Sequence, residues 1–322
     1  MDFSPTRRRT LQFGGTVAAA GLAGCLGGGQ PEGTLDFEGT SRIDDDALPE
    51  RKSYTTRDAT FPEYRRYDVG REGVDTVLIL LHPAGFDSRI LQPLASSIVD
   101  TGVAHVVTPD LRGHGPNPET RGDIDSIGQL ETDLRQLVRT TEKIYPDAKV
   151  VIGGHGAGGG VVVRFASTPD GSLADGYLLL GPYLGRDRST TRQALGGWAN
   201  FYRDRIFMLN VLTGFGIEGY ADMTTVEFDM PEEVRDGTET LAHSYRLMVS
   251  YTPEEDDIGE MASVPCLTVV GSDDETAYPD AYELLFADRE DTTVELVDDA
   301  THLDLVTDDT AVEPIVDWLS DI

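Results

Sequence analysis

The apolar positions fall into two patterns that alternate along most of the chain. Thr76 to Leu81 reads TVLILL, a continuous apolar run of the kind that forms a strand buried on both faces. Val103 to Val107, Val150 to Ile152, Tyr177 to Leu180, Cys266 to Val270 and Val294 to Val297 repeat it, and Phe61 to Val69 alternates loosely as a first antiparallel strand. Between these runs the spacing changes to that of a helix face. Ile90, Leu91, Leu94, Ile98 and Val99 form one such set; Ile127, Leu130, Leu134, Leu137, Val138 and Tyr145 form another. Val312, Ile315, Val316 and Leu319 close the chain with a third. Strands alternating with helices predict an α/β fold with a mostly parallel sheet covered on both sides.

The alternation stops between Gly185 and Ser263. That stretch carries Trp198, Phe201, Tyr202, Phe207, Met208 and Phe215 and is too long for a plain loop. It is expected to be a helical cap, with most of its aromatics in the cap's own core and a few lining a pocket. The domain reading is therefore a core of residues 52–184 and 264–322 with a cap of residues 185–263. Residues 25–51 are polar, with Gly27-Gly28-Gly29 and Asp44-Asp45-Asp46, and are expected to be a flexible tether.

Residues 1–24 are expected to lie outside the fold. Arg7-Arg8-Arg9 precedes a short, glycine-rich apolar segment, and Leu22-Ala23-Gly24-Cys25 follows it. The pair resembles the twin-arginine lipoprotein signal of a halophilic archaeon. That resemblance implies export, lipidation of Cys25 and anchoring on the outer face of the cell membrane.

Charge fits the same picture. The chain has 322 residues, 39% of them hydrophobic, and a net charge of -31, which excludes nucleic acid as a partner through repulsion. Of its 26 basic residues only Lys52, Lys143 and Lys149 are lysine. Acidic excess with arginine in place of lysine points to a high-salt environment, where the screening length is about 3 Å at ~1 M salt. The second cysteine, Cys266, is far from Cys25, so no disulfide is expected. The acidic run Pro253 to Glu260 reads as solvated surface, and no metal or cofactor is expected.

The chemistry centres on KVVIGGHGAGGG, from Lys149 to Gly160: an apolar run, a glycine turn, then a helix start. A sharp strand-to-helix turn is the setting of the nucleophile elbow G-x-S-x-G, here filled by Gly154-His155-Gly156-Ala157-Gly158. Three further motifs stand in order around it: His82-Pro83-Ala84-Gly85, Asp110-Leu111-Arg112-Gly113-His114-Gly115, and Gly271-Ser272-Asp273-Asp274 followed by Ala300-Thr301-His302. Together they resemble the α/β-hydrolase family, in particular its lysophospholipase-like and serine-aminopeptidase-like members. The resemblance implies a serine nucleophile, His302 as base and Asp274 as its acid, with Asp273 the second choice. It also implies oxyanion donors at the backbone N–H of Ala84 and Ala157; Pro83 has no N–H to give. His82, His114 and His155 are expected to be structural, and His105 and His243 carry no signal.

The sequence departs from the family at one position. The nucleophile's place is held by Gly156, which cannot attack, be acylated or donate a proton to His302. Three readings follow. The first is a pseudoenzyme binding a small or lipid-like ligand under the cap. The second is a weak hydrolase whose water is activated by His302 and Asp274. The third is a nucleotide binder, because Gly154-x-Gly156-x-x-Gly159 fits G-x-G-x-x-G. Against the third, the next strand ends in Gly181-Pro182 rather than an acidic residue.

Overall fold

The computed structural model describes residues 34–116 and 118–322. The signal segment of residues 1–24 and Cys25 lie outside the described residues. Among the described residues eleven strands are formed: β1 (Lys52–Ser53), β2 (Glu63–Tyr67), β3 (Thr76–Leu81), β4 (His105–Pro109), β5 (Lys149–His155), β6 (Gly176–Leu180), β7 (Ala199–Phe201), β8 (Thr224–Phe228), β9 (Ala242–Ser244), β10 (Cys266–Gly271) and β11 (Thr292–Val297). Eight of them make one sheet in the order β1-β2-β4-β3-β5-β6-β10-β11. Only the β1–β2 and β2–β4 pairs are antiparallel.

The sheet is built around β3. Its alternate residues face opposite layers, Val77, Ile79 and Leu81 on one side and Leu78 and Leu80 on the other, so both faces need apolar side chains. The first layer holds α2 (Gln129–Ile144) and α3 (Ala157–Ala166); the second holds α1 (Gln92–Thr101) and the C-terminal helix Val312–Asp321. Register then sets the site. Leu81 pairs with Gly154, His155 with Leu180, Val269 with Leu180, and Gly271 with Val297. The loops after β3, β5, β6, β10 and β11 therefore leave the sheet at one carboxyl edge, where ligands bind in open α/β sheets.

The cap differs from the helical expectation. Residues 185–263 contain an antiparallel sheet, β7-β8-β9, with α4 (Arg203–Gly214) and α5 (Tyr245–Ser250) beside it. The aromatic assignment also changes. In α4 only Leu209 is buried; Phe207 is 71% exposed, and Phe215, just past the helix end, is 81% exposed. α4 carries apolar side chains around most of its circumference, and packing covers only one line of them.

The tether expectation is corrected as well. From Thr34 onward the chain lies against the domain: Leu35 and Phe37 are buried in a cluster with Met230 and Leu303. A segment that hides two large apolar side chains is held by the hydrophobic effect despite its polar composition. Cys266 opens β10 between β6 and β11, is fully buried, and has its thiol pushed up to about 12 by that burial. Among the described residues, no helix is long and apolar enough to cross a membrane.

Candidate active site

Gly156 sits between β5 and α3 with φ 53° and ψ -117°. These angles are open to glycine and strained for any residue with a β-carbon. The turn is tightly held: the Gly156 N–H donates to Leu180 O at 3.0 Å, and Gly156 O accepts from Tyr183 N at 2.8 Å. The neighbouring glycines serve packing. A β-carbon on Gly158 would stand 2.6 Å from Leu81 O, and one on Gly159 2.7 Å from the Pro182 β-carbon. These two residues let α3 rest directly on the sheet, which accounts for part of the G-x-G-x-x-G spacing without a phosphate.

The expected acid and base, Asp274 and His302, stand in the loops after β10 and β11. Asp274 is fully buried, and its Oδ2 accepts the Nδ1–H of His302 at 2.7 Å. Its Oδ1 accepts from Thr276 N at 2.7 Å, Thr276 Oγ1 at 2.8 Å and Ala277 N at 2.9 Å. Burial opposes the charge on Asp274, but the His302 ring and these donors outweigh it and hold the carboxyl down to about 2. Burial likewise disfavours a charged His302, yet the Asp274 charge wins and raises its pKa above the ordinary 6.5. Asp273, the second choice, is exposed at the loop surface.

The Asp274 bond leaves Nε2 of His302 facing Gly156: a β-carbon there would lie 3.3 Å from it. His155, fully buried and held neutral by its burial, donates Nε2–H to His302 O at 3.0 Å and lies tilted against its ring, centroids 4.4 Å apart. It holds the backbone of His302 in place. His82 ties two loops together, donating from Nδ1 to Pro83 O at 2.8 Å and accepting Leu111 N–H at Nε2 at 3.0 Å.

His302, Gly156, Ala84 and Ala157 all line one pocket. Its walls are largely apolar, from Leu195, Trp198 and Phe201 of the cap and Tyr183, Tyr251 and Tyr282 around the base. Among the described residues no hydrogen bond takes up the N–H of Ala84 or Ala157, so two backbone donors remain free beside Gly156.

Several residues here gave no signal in the sequence. Thr276 clamps the acid and contacts His302 Nδ1 at 3.1 Å. Glu275 accepts the His302 backbone N–H at 3.0 Å. His243 of β9 is fully buried and meets His114 Nε2 to Nε2 at 3.1 Å, so the cap is clasped to the loop after β4 by a histidine pair. Tyr251 adds its hydroxyl to His243 Nδ1 at 3.3 Å.

Several known proteins are similar to this chain. Protein phosphatase methylesterase 1 of Bos taurus is 29% identical over 144 residues, covering 44% of this chain but only 36% of that relative's own length. The structure of a soluble variant of monoglyceride lipase from Saccharomyces cerevisiae superposes with a TM-score of 0.68 at 18% identity, over 85% of this chain and 96% of that one. A monoacylglycerol lipase from Paleococcus ferrophilus superposes with a TM-score of 0.55 at 19% identity, over 81% and 98%. At those identities the likeness speaks for the α/β-hydrolase fold alone. The family model described as "Serine aminopeptidase, S33" matches residues 72–309, which spans the strand ends that carry Ala84, Gly156, Asp274 and His302; the chain belongs to that family.

Proposed function

We propose that this protein is a ligand-binding pseudoenzyme of the esterase lineage, exported and held at the outer face of the cell membrane through Cys25. One observation carries the reading. His302 and Asp274 are paired at 2.7 Å and two backbone donors are free, yet the position they converge on is Gly156, with no side chain. A site with an oxyanion cradle, an apolar pocket and no nucleophile suits a carboxylate or ester that stays intact. The methylesterase relative supports a ligand with a carboxylic ester or acid group, and the apolar pocket walls support an apolar tail. The residues need no cofactor for this, and the acidic surface disfavours nucleic acid.

The test is made on the mature protein in ~1 M KCl, where charge repulsion is screened. Titration with a fluorescent fatty acid, competed by dodecanoate, is expected to show saturable one-site binding. Hydrolysis of p-nitrophenyl butyrate is expected to stay near the uncatalysed rate. Absence of binding overturns the reading. The second reading, a weak hydrolase, is favoured by the Nε2 of His302 facing a space where a water can sit. It predicts slow turnover that His302→Ala abolishes. Incorporation of radiolabelled lipid, lost in Cys25→Ser, tests the anchor.

A further inference from the structure

Glu275 follows the acid Asp274 directly, and its two carboxylate oxygens serve two different parts of the chain. Oε2 accepts the backbone N–H of His302 at 3.0 Å, and Oε1 accepts that of Asp36 at 2.9 Å. Asp36 belongs to the stretch that composition assigned to a tether. On one side of it the Leu35 N–H donates to Gly196 O of the cap at 2.9 Å. On the other, Phe37 sits edge-on to Trp198 with ring centroids 5.4 Å apart. Trp198 lines the pocket and lies so close over Gly85 that a β-carbon there would stand 2.8 Å from its ring. Gly85 is the residue after the free donor Ala84. Further along, Arg42 forms an ion pair with Asp308, six residues past His302.

The segment from Leu35 to Arg42 thus touches the cap through Gly196 and Trp198, the acid loop through Glu275, the base loop through Leu303, and, one short helix further on, Asp308. These are three of the parts that surround the ligand pocket. We infer that residues 35–42 are a strap that completes the ligand site, and that Glu275 is the positioning residue through which the strap fixes His302. The inference rests on the reading of the pocket as a ligand site. When the strap is in place, Glu275 is held from both ends and cannot swing away from the His302 backbone. The Phe37 ring also backs Trp198 against the oxyanion loop. A strap that lets go removes one restraint from each side of the pocket at once. Glu275 also places a second carboxylate near His302, which adds to the pull of Asp274 on its proton.

The experiment compares Phe37→Ala, Glu275→Gln and the double variant with the parent protein, with far-UV circular dichroism as the check on folding. Dodecanoate is the probe. Each single variant is expected to bind it roughly tenfold more weakly, the factor that about 1.4 kcal/mol gives. The double variant is expected to lose little more than the weaker single, because both break one connected device. Phe37→Leu, which keeps an apolar contact with Trp198, is expected to recover most of the loss. In a Gly156→Ser background, Glu275→Gln is further expected to move the acid limb of ester hydrolysis to lower pH, which a purely structural role would not do. Parent-like binding in folded Phe37→Ala and Glu275→Gln, losses that multiply in the double variant, or an unmoved acid limb overturn the strap. If the parent itself fails to bind dodecanoate, the ligand-site reading fails instead, and the two outcomes are distinct.

Discussion

The Nε2 of His302 stands 3.3 Å from the point that a β-carbon on Gly156 would occupy, close enough that a hydroxyl one bond further out would reach it. The base is therefore aimed at an atom the chain does not have. Gly156→Ser supplies that atom. The cost is a side chain at φ 53°, about 1–3 kcal/mol of backbone strain, and a 3.3 Å approach to Pro83 that must relax by a few tenths of an ångström. The variant is expected to melt earlier than the parent and to hydrolyse p-nitrophenyl butyrate at least ~10²-fold faster, given the ~10⁶-fold effect of such nucleophiles elsewhere. A folded variant with no gain would mean that the pocket no longer admits an ester in reacting geometry.

The pH profile of that variant follows from the pair. His302 can take a proton only when neutral, and Asp274 raises its pKa above 6.5. The rate is expected to climb with a midpoint above pH 6.5, and Asp274→Asn is expected to shift that midpoint down. Stability has its own window. The His302 contribution is full below 6.5 and is lost as pH rises through its raised value. The Asp274 contribution is full above 3.8 and is lost as pH falls toward about 2. Rate against pH, and urea midpoints across the same range, check both limbs.

The histidine pair between cap and core predicts a second acid sensitivity. Burial holds both rings below the ordinary 6.5: His243 falls to about 3, and His114 lies well below 6.5, lowered further by its neighbours His243 and His82. Unfolded histidine takes up a proton that the folded pair refuses, so stability is lost as pH falls from 6.5 toward those depressed values. The expected slope is up to about 1.4 kcal/mol per pH unit for each ring. Thermal midpoints from pH 7 to pH 4 in ~1 M KCl, where the changing surface charge is screened, measure it. His243→Gln is expected to flatten the slope.

Surface charge predicts the response to salt. A net charge of -31 repels itself at low ionic strength, and a screening length of about 3 Å at ~1 M removes most of that repulsion. The melting temperature is expected to rise steeply between ~0.1 and ~1 M KCl and then level off. A melting temperature indifferent to salt would count against adaptation to brine.

The parts legible in the sequence were those governed by strong local rules. TVLILL has to be a strand covered on both sides, and β3 runs over those same six residues. The turn at Gly156 and the pairing of Asp274 with His302 are marked by motif and position. What was hidden depends on contacts far apart in the chain. β7 is three residues long with no alternation to show, and α4 is apolar around most of its surface, so neither periodicity could expose the mixed cap. Leu35 and Phe37 are two apolar residues in a polar stretch, and nothing local says that Trp198 and Leu303 wait for them. Glu275 is one acidic residue among many in the sequence, and only the fold brings Asp36 and the His302 backbone to its two oxygens.

Cys266 lies at the start of β10 with its sulfur sealed between two neighbouring strands and its proton firmly held. Such a thiol is inert to alkylating reagents for as long as the sheet stays shut. In a Cys25→Ser chain it becomes the sole reporter of opening events, so the pace of iodoacetamide labelling counts how often the centre of the molecule comes apart. Protection of this sulfur from oxidants therefore needs no bridge to a second one; the closed sheet supplies it.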